Sequence, residues 1–141
     1  MAGSAALIVG LVVAISDGDT LTLLNEDFQQ IKIRLAEIDA PEKKQPFGAR
    51  SRQSLGELCH EKRAEVRIID VDRYKRIVGR VSCSGVDANA AQVRRGMAWV
   101  YDRYAKDKTL YRLQDEARSS GRGLWVDRSP VAPWEWRQRP G

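Results

Sequence analysis

Apolar and polar positions change period several times along this chain, and each change marks an element. Residues 7–15, 21–24, 30–37, 64–71 and 76–83 are short runs rich in Val, Ile and Leu, the composition of strands. In the third run Ile31, Ile33 and Leu35 alternate with Lys32 and Arg34. That period of two buries one face and turns Arg34 to the other. Five such runs, separated by turn residues, predict a small barrel. Helical spacing follows. Residues 48–58 set Leu55 and Leu58 on a face with Ser51 or Arg52. Asp87 is placed to cap a helix running to Arg95, with Gly96 as its stop. Asp107 caps a third, in which Leu110, Leu113 and Ala117 share a face and Gly121 ends it. The pattern predicts an α+β chain, mainly β, with three helices. The stretch 124–139 holds three Trp and two Pro, and is expected as an extended tail packed over the barrel with its Trp residues buried.

At 141 residues the chain is one domain in size. We read 1–141 as a single unit, with a core of about 7–125 and a Trp/Pro-rich tail, 126–141. The apolar segment 5–15 is too short to span a bilayer and no basic residues precede it. It is better read as a first strand. Met1-Ala2-Gly3-Ser4 reads as an added leader, with any native signal peptide already removed. The net charge of +5, from 24 basic against 19 acidic residues, favours polyanionic partners without establishing them. Cys59 and Cys83 are the two cysteines and His60 the one histidine. Without CxxC or clustered ligands they argue against structural zinc. The two cysteines either pair in an oxidising compartment or are small core residues.

Chemistry is concentrated at the ends of the apolar runs. Asp17-Gly18-Asp19-Thr20 closes the first, Asp39-Ala40-Pro41-Glu42 follows the third, and Asp72-Arg73-Tyr74-Lys75-Arg76 lies between the fourth and fifth. Gly18 permits a turn that separates the two aspartates. Pro41 holds Ala40 extended, which can present the Ala40 carbonyl beside the Asp39 carboxylate. Carboxylates, a carbonyl and water make an oxygen site for Ca²⁺. Glu42 is near enough to orient a water, and Arg34 and Arg76 could each fork two hydrogen bonds onto a phosphate. Each residue also has an ordinary reading: a turn aspartate, a loop-start carboxylate, a surface arginine.

Taken in order, the motifs resemble the staphylococcal (micrococcal) nuclease, or thermonuclease, family. The likeness runs from Val12 to Trp125. It is carried by Ile15 to Thr20, by Arg34-Leu35 with Ile38 to Glu42, and by Asp72 to Arg76 leading to Val78-Gly79. Asn89, Gly96 to Tyr101 and Gly123-Leu124-Trp125 extend it. The resemblance implies a five-stranded OB-type Greek-key barrel with three α-helices. It implies one Ca²⁺ ion ligated by Asp19, Asp39 and the Ala40 carbonyl, with Asp17 beside it in support. Arg34 and Arg76 would clamp the phosphate, Glu42 would serve the attacking water, and Tyr104 would lie near the bound nucleotide.

The activity implied is endonucleolytic hydrolysis of DNA and RNA by in-line water attack, leaving 3′-phosphate ends. The protein is expected to be monomeric, without a membrane partner. The alternative is a non-catalytic OB-fold module that binds nucleic acid or protein. Three positions depart from the family pattern. Ala40 replaces a residue that is often Thr, which is harmless if only the carbonyl is used. Lys75 stands where many members have Gly, bringing an added charge to the substrate groove. Asp102 lies near the place of a second tyrosine. The cysteine positions are similar to those of exported bacterial members, implying a Cys59–Cys83 disulfide and a secreted or periplasmic protein.

Overall fold

Closure of the barrel follows from how its strands pair. In the computed structural model, which describes residues 6–140, strand β1 (Leu7–Asp17) pairs antiparallel with β2 (Thr20–Leu24), and β2 with β3 (Gln30–Leu35). Met1-Ala2-Gly3-Ser4, expected as an added leader, lie outside the described residues. After β4 (Ile38–Asp39) and helix α1 (Gly48–Cys59), β5 (Arg63–Val71) pairs with the other edge of β1, and β6 (Ile77–Cys83) with β5. Strand β6 then meets β3 in parallel register, Ile33 beside Ile77 and Leu35 beside Gly79. These five strands form a closed barrel, and among the described residues no long edge is left unpaired.

The alternating residues fill it. Val12, Leu21, Leu23, Ile33, Leu35 and Val66 are fully buried, and Leu55 of α1 joins the same core. Beyond the barrel come β7 (Val86–Asp87), α2 (Ala88–Arg94), β8 (Trp99–Val100), α3 (Lys108–Ser119), a 3-10 turn (Gly123–Val126) and the short α4 (Pro133–Trp136). The predicted caps are in place. Asp87 accepts from the Ala90 amide at 3.0 Å and Asp107 from the Thr109 amide at 2.9 Å. Gly96 and Gly121 both take the left-handed backbone that stops a helix.

Two expectations need correction. The third run does not continue to Glu37. It ends at Leu35, because Glu37 adopts a φ of 67°. The chain turns there, and β4 leaves the barrel to pair with β8, placing Ile38 opposite Val100 and Asp39 opposite Trp99. Nor is the C-terminal stretch simply extended. It contains helical turns, including a fourth helix begun by Pro133, the residue suited to a first helical position. Trp125 is buried, while Trp134 and Trp136 are half-buried.

Cys59 and Cys83 form a disulfide with Cα atoms 5.2 Å apart. It ties the end of α1 to the end of β6.

Candidate active site

The site is assembled where three barrel elements end. Strands β1 and β2 are joined by the two residues Gly18 and Asp19. Gly18 is required for room rather than for an unusual φ: a Cβ there would collide with Ser51 of α1 and crowd Ala40. The turn is pinned from the helical side as well. Gln92 of α2, fully buried, donates to the carbonyls of Gly18 (2.8 Å) and Ser51 (3.0 Å). Ser51 in turn donates to the Met97 carbonyl at 2.6 Å. Two helices therefore hold the turn carrying Asp19 against β4.

Asp19, 6% exposed, accepts from the Ala40 amide at 2.8 Å and from the Thr20 hydroxyl at 3.0 Å. Asp39 is 1% exposed. A single nitrogen, Nη2 of Arg34, lies 3.3 Å from Asp19 Oδ2 and 3.3 Å from Asp39 Oδ1. The two carboxylates thus converge on one point. Arg34 is itself fixed by its other terminal nitrogen, Nη1, which donates to the carbonyls of Leu35 (2.7 Å) and Ile38 (2.9 Å). It leaves the barrel face as its alternation predicts, but folds under the β3–β4 turn.

Burial tends to raise the pKa of Asp19, yet the Arg34 guanidinium and the hydrogen bonds it accepts hold it below the usual carboxylate range. At Asp39 burial prevails and the pKa is raised, despite Arg137 and Arg34. Asp17 is pushed up to about 7 by burial and by the Asp19 charge beside it. It accepts from the Asp19 amide at 3.1 Å and so shapes the turn.

Glu42 is half exposed and ion-paired to Arg137 at 2.7 Å. Arg76 makes no hydrogen bond to Asp19, Asp39 or Glu42 among the described residues. It starts the path into β6, one residue before Ile77, which sits beside Ile33 of β3. Its Nε donates to Asp72 at 2.8 Å, and Asp72 also accepts its backbone amide. Lys75 is exposed with a φ of 65°, a left-handed turn conformation that glycine adopts without strain. Tyr104 is also exposed and packs edge-on to Tyr101 at 5.0 Å.

The donor set suits a hard cation. Asp19, Asp39 and the Ala40 backbone supply only oxygen, and Ala40, 3% exposed, needs no side-chain hydroxyl for this. No group of three or more His, Cys, Asp or Glu able to hold a metal occurs among the described residues. The acidic groups that converge here are two carboxylates, Asp19 and Asp39.

Comparison with known proteins shows the family. A family described as Staphylococcal nuclease homologue matches residues 32–127, more than half of the chain. The chain belongs to the staphylococcal nuclease family. Among its relatives in that family, an uncharacterized endonuclease of Escherichia coli is 45% identical over 131 residues, covering 92% of this chain and 85% of the relative. A micrococcal nuclease of Shigella flexneri is 41% identical over 140 residues, covering 92% and 80%. An uncharacterized endonuclease of Haemophilus influenzae is 43% identical over 128 residues, covering 91% and 72%. As a member of the staphylococcal nuclease family the chain is a nuclease-type hydrolase, and its barrel is the family's OB-type fold.

One site residue escaped the sequence reading. Arg137 forks onto Asp39, with Nη2 at 2.7 Å from Oδ2 and Nη1 at 3.1 Å from Oδ1, and reaches Glu42 as well. It is 98 positions from Asp39, in a stretch read as packing. The signal available was an arginine directly after two tryptophans, Trp134-Glu135-Trp136-Arg137.

Proposed function

We propose that this chain is an endonuclease cutting DNA and RNA by in-line attack of water on phosphorus, with Ca²⁺ held by Asp19, Asp39 and the Ala40 carbonyl. The observation that carries this reading is the convergence of two buried carboxylates on Arg34 Nη2, each at 3.3 Å, with Glu42 three residues beyond Asp39. When bound, the ion supplies positive charge against which the phosphorane-like charge can develop.

The chain's own residues do the rest. Arg34 has Nη1 committed to the backbone, so Nη2 is the nitrogen it can offer the phosphate, while Asp19 and Asp39 would hold the cation. Arg76, anchored through Nε to Asp72, offers its terminal nitrogens to the same phosphate. Guanidinium groups preorganised in this way favour the charged transition state over the substrate. Glu42 orients the water and accepts its proton as the P–O bond forms. The bond to the 5′-oxygen breaks, the leaving oxygen takes a proton from solvent while Glu42 releases its own, and a 3′-phosphate and a 5′-hydroxyl result. Asp17 supports the turn that carries Asp19, Lys75 adds charge at the groove, and Tyr104 offers an exposed ring to the nucleotide.

The disulfide supports an oxidising location, secreted or periplasmic, for a monomeric enzyme. No helix among the described residues is long and apolar enough to cross a membrane. The decisive experiment is cleavage of single- and double-stranded DNA and RNA with Ca²⁺, Mg²⁺ or chelator, with the new ends identified. Cleavage that survives excess chelator overturns the metal assignment. Binding without cleavage in every condition makes the chain a non-catalytic module.

A further inference from the structure

Arg137 is held in place by a docked segment, and that segment is built for the purpose. Trp134 of α4 stacks parallel to Tyr101, with ring centroids 5.3 Å apart and planes within 4°, and meets Trp99 edge-on at 5.6 Å. Trp99 packs in turn on Trp125 at 4.5 Å. Gln45 ties the approach to α4 down, donating to the Val131 carbonyl at 2.6 Å while accepting from the Glu42 amide at 3.1 Å. Trp99 also lies opposite Asp39 in the small β4–β8 sheet. One set of contacts therefore positions both the carboxylate and the arginine that covers it.

Guanidinium groups reach both oxygens of Asp39. Arg137 engages both of its oxygens, and Arg34 shares Oδ1. Four carboxylates (Asp17, Asp19, Asp39, Glu42) face two guanidinium groups here, Arg34 and Arg137. A divalent cation at Asp39 competes with Arg137 for the two carboxylate oxygens, and meets like charge on approach.

We infer that Arg137 is a built-in counter-ion of the candidate metal site, which a divalent cation displaces from Asp39 on binding. The inference rests on the metal reading above. The C-terminal segment, lying beyond the residues matched to the family, thus sets the metal affinity of the site. Arg137 keeps the buried Asp39 charge compensated without the ion and yields it when the ion arrives. A second consequence falls on Glu42, whose Oε1 is ion-paired to Arg137 Nη1 at 2.7 Å. Displacement from Asp39 loosens that hold at the same moment.

The test is calorimetric titration of the intact protein with Ca²⁺ alone, with no nucleic acid present. The variants are Arg137→Gln, Arg137→Lys, Trp134→Ala and Asp39→Asn. Losing a competing charge-assisted fork is expected to tighten Ca²⁺ binding by about tenfold or more in Arg137→Gln. Arg137→Lys, which keeps the charge without the fork, falls between it and the wild type. Trp134→Ala undocks the arginine without touching a carboxylate, and also binds more tightly. It serves as the second measurement should Arg137→Gln fold poorly.

Thermal denaturation gives an independent reading: metal-free Arg137→Gln melts below the wild type, and Ca²⁺ raises its Tm by more. Equal or weaker Ca²⁺ affinity in Arg137→Gln and Trp134→Ala overturns the inference, while wild-type binding abolished by Asp39→Asn leaves the metal site standing. Absence of Ca²⁺ binding in the wild type and all variants overturns both.

Discussion

Arg34 and Arg76 carry different obligations although both are assigned to the phosphate. Arg34 satisfies two backbone carbonyls of the β3–β4 turn and lies 14% exposed at its side chain. Lysine keeps the charge but cannot reach two carbonyls and a carboxylate at once. Arg34→Lys is therefore expected to lower turnover strongly and also to cost about 2 kcal/mol of stability through the carbonyls it leaves unpaired. Arg76→Lys loses turnover with little change in stability, since its one side-chain hydrogen bond among the described residues is to a half-exposed Asp72. Kinetics and denaturant melts on the same preparations separate the two. Glu42 is the third case. Glu42→Gln preserves size and removes basicity, so kcat is expected to fall about 10²–10⁴-fold, while losing the Arg137 pair shifts Ca²⁺ affinity far less than Asp19→Ala does. Near wild-type kcat across the pH range removes Glu42 from the reaction, and a Ca²⁺ affinity lost as sharply as in Asp19→Ala makes it a ligand.

Among the elements, the β1–β2 turn shows how little space the site tolerates. Gly18 has an ordinary φ, so alanine there is strained by its neighbours and not by its backbone. Gly18→Ala is expected to cost about 1–3 kcal/mol as Ser51 and Ala40 are forced aside. It also displaces Asp19, so metal affinity falls together with Tm. A melt that matches the wild type would show that α1 yields easily. The Cys59–Cys83 bridge belongs to the same scale. It closes a loop with a sequence separation of 24, and removing both cysteines as Cys→Ala is expected to cost about 3 kcal/mol on the chain-entropy account. Urea denaturation of the oxidised protein and the double variant measures the difference.

Across the whole molecule, one ion network holds the barrel to its helical half. Arg80 of β6 pairs with Asp107 at 2.9 Å, Asp87 at 2.7 Å and Glu37 at 3.3 Å. Asp107 and Asp87 cap α3 and α2, and Glu37 accepts the amides of Lys106 and Asp107. Hydrogen bonds from the Thr109 hydroxyl and from Arg80 hold the Asp107 carboxyl down at about 2. A folded pKa below the unfolded value means the unfolded chain takes up its proton first. The stabilisation is present above the ordinary value of 3.8 and is lost as pH falls toward 2. The midpoint of thermal unfolding should therefore drop between pH 4 and 2. Asp107→Asn keeps the cap, is less stable at neutral pH, and loses less over that interval; parallel curves for the two proteins would remove Asp107 from the acid response.

Local periodicity and capping chemistry are properties of neighbouring residues, and these the sequence carried on its face. The alternation of Ile31, Ile33 and Leu35, the caps Asp87 and Asp107, and the stops Gly96 and Gly121 all lie where single-chain reasoning places them. The ordered motifs around Asp19, Asp39 and Arg76 were enough to indicate the family. Three features came only from the tertiary structure, because each joins segments far apart in the chain. Glu37 breaks β3 because its carbonyl and carboxylate are claimed by Tyr101, Lys106, Asp107 and Arg80. Gln92 and Ser51 hold the Asp19 turn from two helices, and no local pattern distinguishes them from other polar helix residues. Arg137 reaches Asp39 across 98 positions because the stack of Trp125, Trp99, Trp134 and Tyr101 delivers it there. Composition names the tryptophans, but only their packing fixes where the arginine after them must point.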